Sequence, residues 1–290
     1  MNAVIPSLRP WVLITGCSTG IGRALVGALR DRGWGVVATA RRLDSLVDLA
    51  PGQDLRVLAL DVTAEASIAA AAEACGDLRL TALVNNAGYG QMGPLELVRP
   101  EELRAQFETN VIGLHAVTQA FLPLIRANAK PGEGRIVQVA SVLGRLSIPM
   151  AGAYNASKHA VVALAESLRL EVGPSIAVIL VEPGAIRTAF RATLKQAWGD
   201  LPERAKGTVY ERAIQQYASR REDFAAQRGL TAEACAAKIA RALCARRPPR
   251  RIIVGMDSRW AQVARRWLPA SLFEWALRRT YGLEGTNRLD

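Results

Sequence analysis

Two hydrophobic patterns take turns along this chain. Short runs that are apolar at nearly every position give way to longer stretches in which apolar residues recur every three or four positions. The first run, WVLIT (11–15), is bounded by Gly16 and predicts a buried strand. Leu25, Val26 and Leu29 follow at helical spacing, with Gly33 placed as a C-cap. The alternation then repeats. Strands are predicted over 34–40, 56–63, 81–88, 134–141, 175–184 and 250–255, and helices over 64–75, 101–127, a segment ending near 172, and 231–245. Strands alternating with helices build an α/β doubly wound sheet, mostly parallel and seven-stranded, with helices on both faces: the Rossmann plan. Residues 1–290 read as one such domain with additions. In that plan ligands bind at the carboxyl edge of the sheet, and the candidate functional residues mostly fall at strand C-termini.

The loop after the first strand is TGCSTGIG, with glycines at 16, 20 and 22 in the spacing G-x-x-x-G-x-G. Strand, glycine loop, helix is the setting of a dinucleotide-binding fingerprint. Glycines let the backbone turn and approach a pyrophosphate, and the helix N-terminus carries the complementary partial charge. Where an acidic residue would bind a ribose 2′-hydroxyl, the chain instead has Ala40 followed by Arg41 and Arg42. A guanidinium fits a 2′-phosphate, so NADP(H) is expected; alternatively these arginines open a solvated helix. Asp61, at the end of the third strand, can bond an adenine amino group or cap the next helix. Asn85 and Asn86 end the fourth strand, where side-chain amides tie backbone groups together. Asn110 sits inside the apolar pattern of 101–127 and needs a partner there, either a local backbone group or an ordered water. The fifth strand delivers Ser141. Tyr154 and Lys158 then stand at i and i+4, one helical turn apart. An ammonium beside a tyrosine favours the phenolate and lowers its pKa from about 10, which makes Tyr154 a candidate acid/base near neutral pH. Ser141 can hydrogen-bond the same substrate oxygen.

Together these residues resemble the classical short-chain dehydrogenase/reductase family. The resemblance spans about residues 10–190 and rests on Thr15-Gly16-x-x-x-Gly20-Ile21-Gly22, Asn85-Asn86-Ala87-Gly88, Asn110, Ser141, Tyr154-x-x-x-Lys158 and Pro183-Gly184-x-Ile186-x-Thr188. It implies an oxidoreductase acting on CH–OH donors, with Tyr154 as acid/base and Ser141 polarising the carbonyl. Lys158 would hold the nicotinamide ribose and depress the pKa of Tyr154, and Asn110 would position a water in a proton relay. The resemblance also implies that Thr15, Gly16, Ser18, Thr19, Gly20, Ile21 and Gly22 form the pyrophosphate loop, with Arg41 and Arg42 at the 2′-phosphate. Asp61, Val62, Asn86, Ala87, Gly88, Pro183, Gly184 and Ile186 would complete the cofactor site, and Thr188 would bond the nicotinamide carboxamide. No metal is implied. The phrases NNAGYGQMGPLELV and VEPGAIRTAF are similar to the hydroxysteroid and retinol dehydrogenase branch, which implies a bulky apolar substrate. Members form homodimers or homotetramers through the helices that carry Asn110 and Tyr154.

Composition changes the picture at a few points. His115 and His159 are the two imidazoles, and Cys17, Cys75, Cys235 and Cys244 form no C-x-x-C pair. A metal centre, a His-based triad and a disulfide framework are therefore not expected, and a reducing, cytoplasmic setting is. The sequence has no transmembrane run, and MNAVIPSLRPW does not read as a secretory signal. Net charge is +11, and residues 246–290 hold ten arginines against four acidic residues. That bias suits an anionic membrane surface, or is simply a solvated basic face. Nucleic-acid binding is not expected, because the arginines are interleaved with core-like apolar residues and no binding module is recognisable.

Residues 189–228 carry Phe190, Trp198, Tyr210, Tyr217 and Phe224 in amphipathic stretches and read as a substrate lid or as a helix pair that only packs. Residues 257–290 read as a C-terminal helical extension in which Trp260, Trp267, Leu272 and Trp275 mix with arginines, and Pro269 splits it into two helices. Such a segment lies on a membrane surface, packs on its own domain, or meets a second subunit. An alternative to an enzyme is a catalytically idle NADP-binding sensor or scaffold. The complete set of Asn110, Ser141, Tyr154 and Lys158 speaks against it, because binding alone requires no acid/base.

Overall fold

The structure, a computed structural model, describes residues 9–188, 197–217, 229–255 and 267–283. Its main sheet holds β1 (Trp11–Ile14), β2 (Gly35–Ala40), β3 (Leu55–Ala59), β4 (Leu80–Asn85), β5 (Gly134–Val139), β6 (Ile176–Pro183) and β9 (Arg251–Val254). The order is β3-β2-β1-β4-β5-β6-β9, and every pairing is parallel. Strand β1 explains the two layers. Val12 and Ile14 point into the core shared with α1 (Gly20–Arg30) and, further along the sheet, α6 (Ala232–Leu243). Trp11 and Leu13 point into the opposite core, shared with α2 (Glu65–Glu73), α4 (Leu114–Asn128) and α5 (Gly152–Val172). A strand covered on both faces is apolar at every position, which is why these runs show no alternation. Each fully buried Leu, Ile or Phe, such as Leu13, Phe121 and Ile125, contributes roughly 1.5–3 kcal/mol relative to exposure. The chain winds outward in opposite directions from β1 and β4, so the loops after these neighbouring strands part and open a crevice at the carboxyl edge.

Two local features depart from the expected pattern. The helix expected over 101–127 is present without a break but is not uniformly wound: α3 (Pro100–Phe107) passes into a π-helical turn at Glu108–Gly113 before α4 begins. Asn110 lies in this wider turn, a feature that often marks functional positions. Gly113 there approaches β3's outgoing loop so closely that a Cβ would stand 2.6 Å from the Val62 carbonyl oxygen. The second departure follows β6. Ile186–Arg187 (β7) pairs in parallel with Leu230–Thr231 (β8), so the excursion between them leaves and returns at one place. Two-residue strands are too short for any periodicity to reveal. Within that excursion Leu201–Arg204 and residues 211–217 are helical. Phe190 and Phe224 fall outside the described residues.

Residues 267–283 contain α7 (Ala270–Thr280), with Pro269 as its N-cap. Trp260 and the helix expected ahead of Pro269 lie outside the described residues up to position 266. Among the described residues no helix is long and apolar enough to cross a membrane.

Candidate active site

The loops that follow the strands border one cleft of about 670 Å³. Gly16, Ser18, Thr19, Gly20 and Ile21 form one wall. Thr19 is the N-cap of α1 but makes no side-chain cap bond, and the first turn holds no acidic residue. Its first N–H groups and the positive end of the helix dipole are thus available to an anion. Gly16 and Gly20 have φ of +73° and +62°, a region that strains residues with a Cβ. A Cβ on Gly20 would also stand 3.2 Å from Thr188, which lines the opposite side of the cleft. This bare backbone and free helix end fit a dinucleotide pyrophosphate. Gly22 serves the loop differently. It does not line the cleft; a Cβ there would collide with the Gly16 carbonyl oxygen and come within 2.5 Å of Asn86 Nδ2.

Thr15 and Asn86 lash the first and fourth loops together. Thr15 Oγ1 accepts from the N–H groups of Asn86 (3.0 Å) and Ala87 (2.9 Å), while Asn86 Nδ2 donates to the carbonyls of Thr15 (2.9 Å) and Gly16 (3.0 Å). Thr15 thereby shapes the site from behind, whereas Asn86, Ala87 and Gly88 line it. Asn85 points into the core, where Nδ2 donates to Thr118 Oγ1 (2.8 Å) and Gln138 Oε1 (3.1 Å).

Arg41 lines the cleft directly after β2, but Arg42 does not. Asp44 captures the Arg42 guanidinium (Nε–Oδ1 3.0 Å), so of the two arginines the structure brings only Arg41 to the site. Asp61 and Val62 are also in the lining. Asp61 Oδ1 accepts from the Thr63 N–H (2.9 Å) and hydroxyl (2.7 Å), a turn that leads into α2.

The far end of the cleft holds Ser141, Tyr154 and Lys158, together with Pro183, Gly184, Ile186 and Thr188. Ser141 ends β5 and caps a short 3₁₀ turn, accepting from the Leu143 N–H at 3.1 Å. Tyr154 and Lys158 share one face of α5, and the Lys158 ammonium lies 5.8 Å from the centre of the Tyr154 ring. Lys158 Nζ donates to the Val139 carbonyl at 2.9 Å. Burial pushes the Lys158 pKa down to about 8, so the group is still cationic at pH 7. Asn110 stands just behind. Its Nδ2 donates to the Tyr89 carbonyl (2.9 Å) and Ser157 Oγ (3.1 Å), and its Oδ1 accepts from the Tyr89 N–H (3.1 Å). Its backbone partner is therefore remote rather than local. A Cβ on Gly88 would meet Asn110 Oδ1 at 2.9 Å and Lys158 Nζ at 3.7 Å, so both groups abut that bare position.

Sequence reasoning missed Glu182. This carboxylate is buried in β6 beside the site and pairs with Arg145 (3.2 Å), in the loop after Ser141, and with Arg251 of β9. Arg145 also pairs with Glu166 of α5. The network joins the Ser141 loop, the end of β6 and the helix of Tyr154. Its members are tens of residues apart, so no local pattern announces it. Ala105 and Thr109 also reach the cleft from α3 and the π turn, and Ala197 from the excursion between β7 and β8. Nothing in their spacing marked them. An apolar cluster adjoins Tyr154, containing Met92, Leu143, Met150, Trp198, Leu201 and Tyr217.

With this geometry in place, comparison with known proteins is direct. A family model described as short chain dehydrogenase matches residues 10–198. The chain belongs to the short-chain dehydrogenase family and is an oxidoreductase of that family. It is 34% identical to the uncharacterized oxidoreductase YbbO of Escherichia coli over 91% of this chain and 92% of that protein. It is 33% identical to 17-beta-hydroxysteroid dehydrogenase type 6 of Bos taurus, over 93% of this chain and 88% of that one. A short-chain dehydrogenase from Burkholderia cenocepacia, solved with NADP, superimposes with a TM-score of 0.69 at 26% identity, covering 93% of this chain and 96% of its own. Another from Burkholderia phymatum, solved with NAD, gives 0.75 at 27% identity, with 92% and 95% covered. A nicotinamide cofactor is thus expected in this cleft.

Proposed function

We propose that this protein is an NADP(H)-dependent oxidoreductase that interconverts a bulky apolar alcohol and its carbonyl, with Tyr154 as the acid/base. The observation that carries the reading is the single cleft in which the glycine loop and the Ser141–Tyr154–Lys158 group share one lining. The bound nicotinamide supplies or accepts the hydride. Tyr154 exchanges the proton with the substrate oxygen, and Ser141 hydrogen-bonds that same oxygen. The Lys158 ammonium favours the Tyr154 phenolate. Arg41 in the lining, and no acidic residue at the end of β2, support a 2′-phosphate and hence NADP(H). The apolar cluster beside Tyr154 and the likeness to a hydroxysteroid dehydrogenase support an apolar substrate, with residues 189–228 as its lid. The test is Tyr154→Phe, assayed after an NADPH-consumption screen over ketosteroids, retinal and long-chain aldehydes. We expect kcat to fall by about 10²–10⁴-fold while NADPH affinity stays within about twofold. Substantial residual turnover would refute the assignment of Tyr154.

Contact with an anionic membrane surface is part of this reading. Trp267 (78% exposed), Leu268, Leu272 and Trp275 (55%) are apolar side chains open to solvent on and just before α7. The Arg279 guanidinium lies 5.7 Å from the centre of the Trp275 ring. Aromatic, aliphatic and cationic groups combined in this way suit a lipid interface. Co-sedimentation with phosphatidylglycerol vesicles tests it: the wild type binds, and Trp267→Ser/Trp275→Ser binds at least about tenfold more weakly. Absence of wild-type binding ends the idea.

A further inference from the structure

The end of α7 turns back on the lid. Gly282 (φ +70°) follows the helix as a left-handed C-cap; its N–H reaches the Arg279 carbonyl (3.3 Å), and the Leu283 N–H reaches that of Arg278 (2.9 Å). This paired reversal is a Schellman motif. It brings Tyr281 and Leu283 against the apolar cluster that contains Tyr154. The Tyr281 ring centre lies 6.0 Å from that of Tyr217, and Tyr217 lies 5.9 Å from Trp198. A Cβ on Gly282 would stand 3.1 Å from Gln216 Oε1, so the backbone of the turn itself sits on residues 211–217.

Both described parts of the lid region bury side chains in this cluster, Trp198, Leu201 and Ala205 from one and Ala213, Ile214 and Tyr217 from the other, but they differ in what else holds them. The near part is clamped by charge in addition: Arg204 donates to Glu102 and to the Leu97 carbonyl, and Asp200 pairs with Arg99. The far part, 211–217, buries Ala213, Ile214 and Tyr217 in the apolar cluster and carries the aromatic contact to Tyr281. We propose that the C-terminal turn is a strap over residues 211–217, and that Tyr281 is a specificity-determining residue which keeps that segment closed over an apolar substrate. The inference rests on the proposed reading of residues 189–228 as a lid. Apolar contacts of this kind contribute on the order of 1 kcal/mol, enough to shift an opening equilibrium about five- to tenfold without unfolding the domain. With the strap released, water enters the wall of the pocket, and the loss grows with the apolar length of the substrate.

Tyr281→Ala and Tyr281→Phe in the full chain test this with two readouts. In Tyr281→Ala, amide hydrogen exchange over 211–217 rises about five- to tenfold while exchange over 201–204 is unchanged. The KM for tetradecanal rises at least about fivefold and that for hexanal less than about twofold, with NADPH affinity unaltered. Tyr281→Phe keeps the ring contact with Tyr217 and lies closer to wild type than Tyr281→Ala in both. Unchanged exchange over 211–217, or an equal KM rise for both aldehydes, overturns the proposal. If the wild type turns over neither aldehyde, the reading of its substrate fails, and the exchange measurement alone still decides the strap.

Discussion

The two walls of the cleft are made of different material. On the cofactor wall Gly16, Gly20 and Gly88 present backbone, and the nearby side chains of Thr15 and Asn86 are spent on holding that backbone in place. Beside Tyr154, on the substrate side, Met92, Leu143, Met150, Trp198 and Tyr217 present apolar surface from segments far apart in the chain. A wall of backbone leaves little room for an added atom: a Cβ on Gly16 would meet the Ala87 backbone at 2.9 Å, one on Gly20 the Thr188 side chain at 3.2 Å, and one on Gly88 the Asn110 amide at 2.9 Å. A wall of apolar side chains responds by degrees, because neighbours repack. The difference suits a shared cofactor bound in one way and a substrate that varies from one family member to another.

Three measurements press on this contrast. The largest effect is expected from Gly22→Ala, whose single added carbon meets the Gly16 carbonyl oxygen and the Asn86 amide. NADPH affinity should fall by at least roughly 100-fold, or about 3 kcal/mol. A loss below tenfold in a titration would mean that the cofactor wall yields as the substrate side does.

Lys158 comes next, because it serves both walls from a buried position. Its ammonium loses its proton near pH 8 in the native protein and near the ordinary lysine value of 10.5 in the unfolded chain. Between those values the unfolded state binds more protons, so the cofactor-free protein gains stability as pH rises through this window. Below pH 8 both states are protonated and the cost of burying the charge is felt in full. Lys158→Met should therefore abolish turnover yet raise the melting temperature at pH 7 by an amount equivalent to about 2 kcal/mol, and flatten the pH dependence between 8 and 10.5. Equal slopes in variant and wild type would contradict the assignment.

The smallest effect separates two neighbours. Arg41→Ala should weaken NADPH binding about tenfold and leave NADH nearly untouched, whereas Arg42→Ala should change NADPH binding less than about twofold, since Asp44 already holds that guanidinium. A wild-type preference for NADH would overturn the reading of Arg41.

Much of the cofactor wall was legible because its information is local. A buried strand, a glycine loop and a helix start are contiguous, and Gly16 and Gly20 take the positive φ that such a turn requires. Tyr154 and Lys158 were legible for the same reason, one helical turn apart on α5. Asn110 was visible as a polar residue in an apolar pattern, but its partner, the backbone of Tyr89, was not. Glu182 was invisible, since an acid inside an apolar strand reads as an irregularity until Arg145 and Arg251 arrive from other elements.

The amino-acid sequence by itself thus determined the parallel sheet, the placement of the glycine loop and the turn of helix bearing the candidate acid/base, because hydrophobic period and backbone permissiveness act over a few residues. Tertiary structure alone decided that β7 and β8 pair at the two ends of one excursion, that Asp44 removes Arg42 from the cleft, and that α7 ends on Tyr217. Those outcomes depend on which distant surfaces meet, and no single stretch of the chain encodes such a meeting.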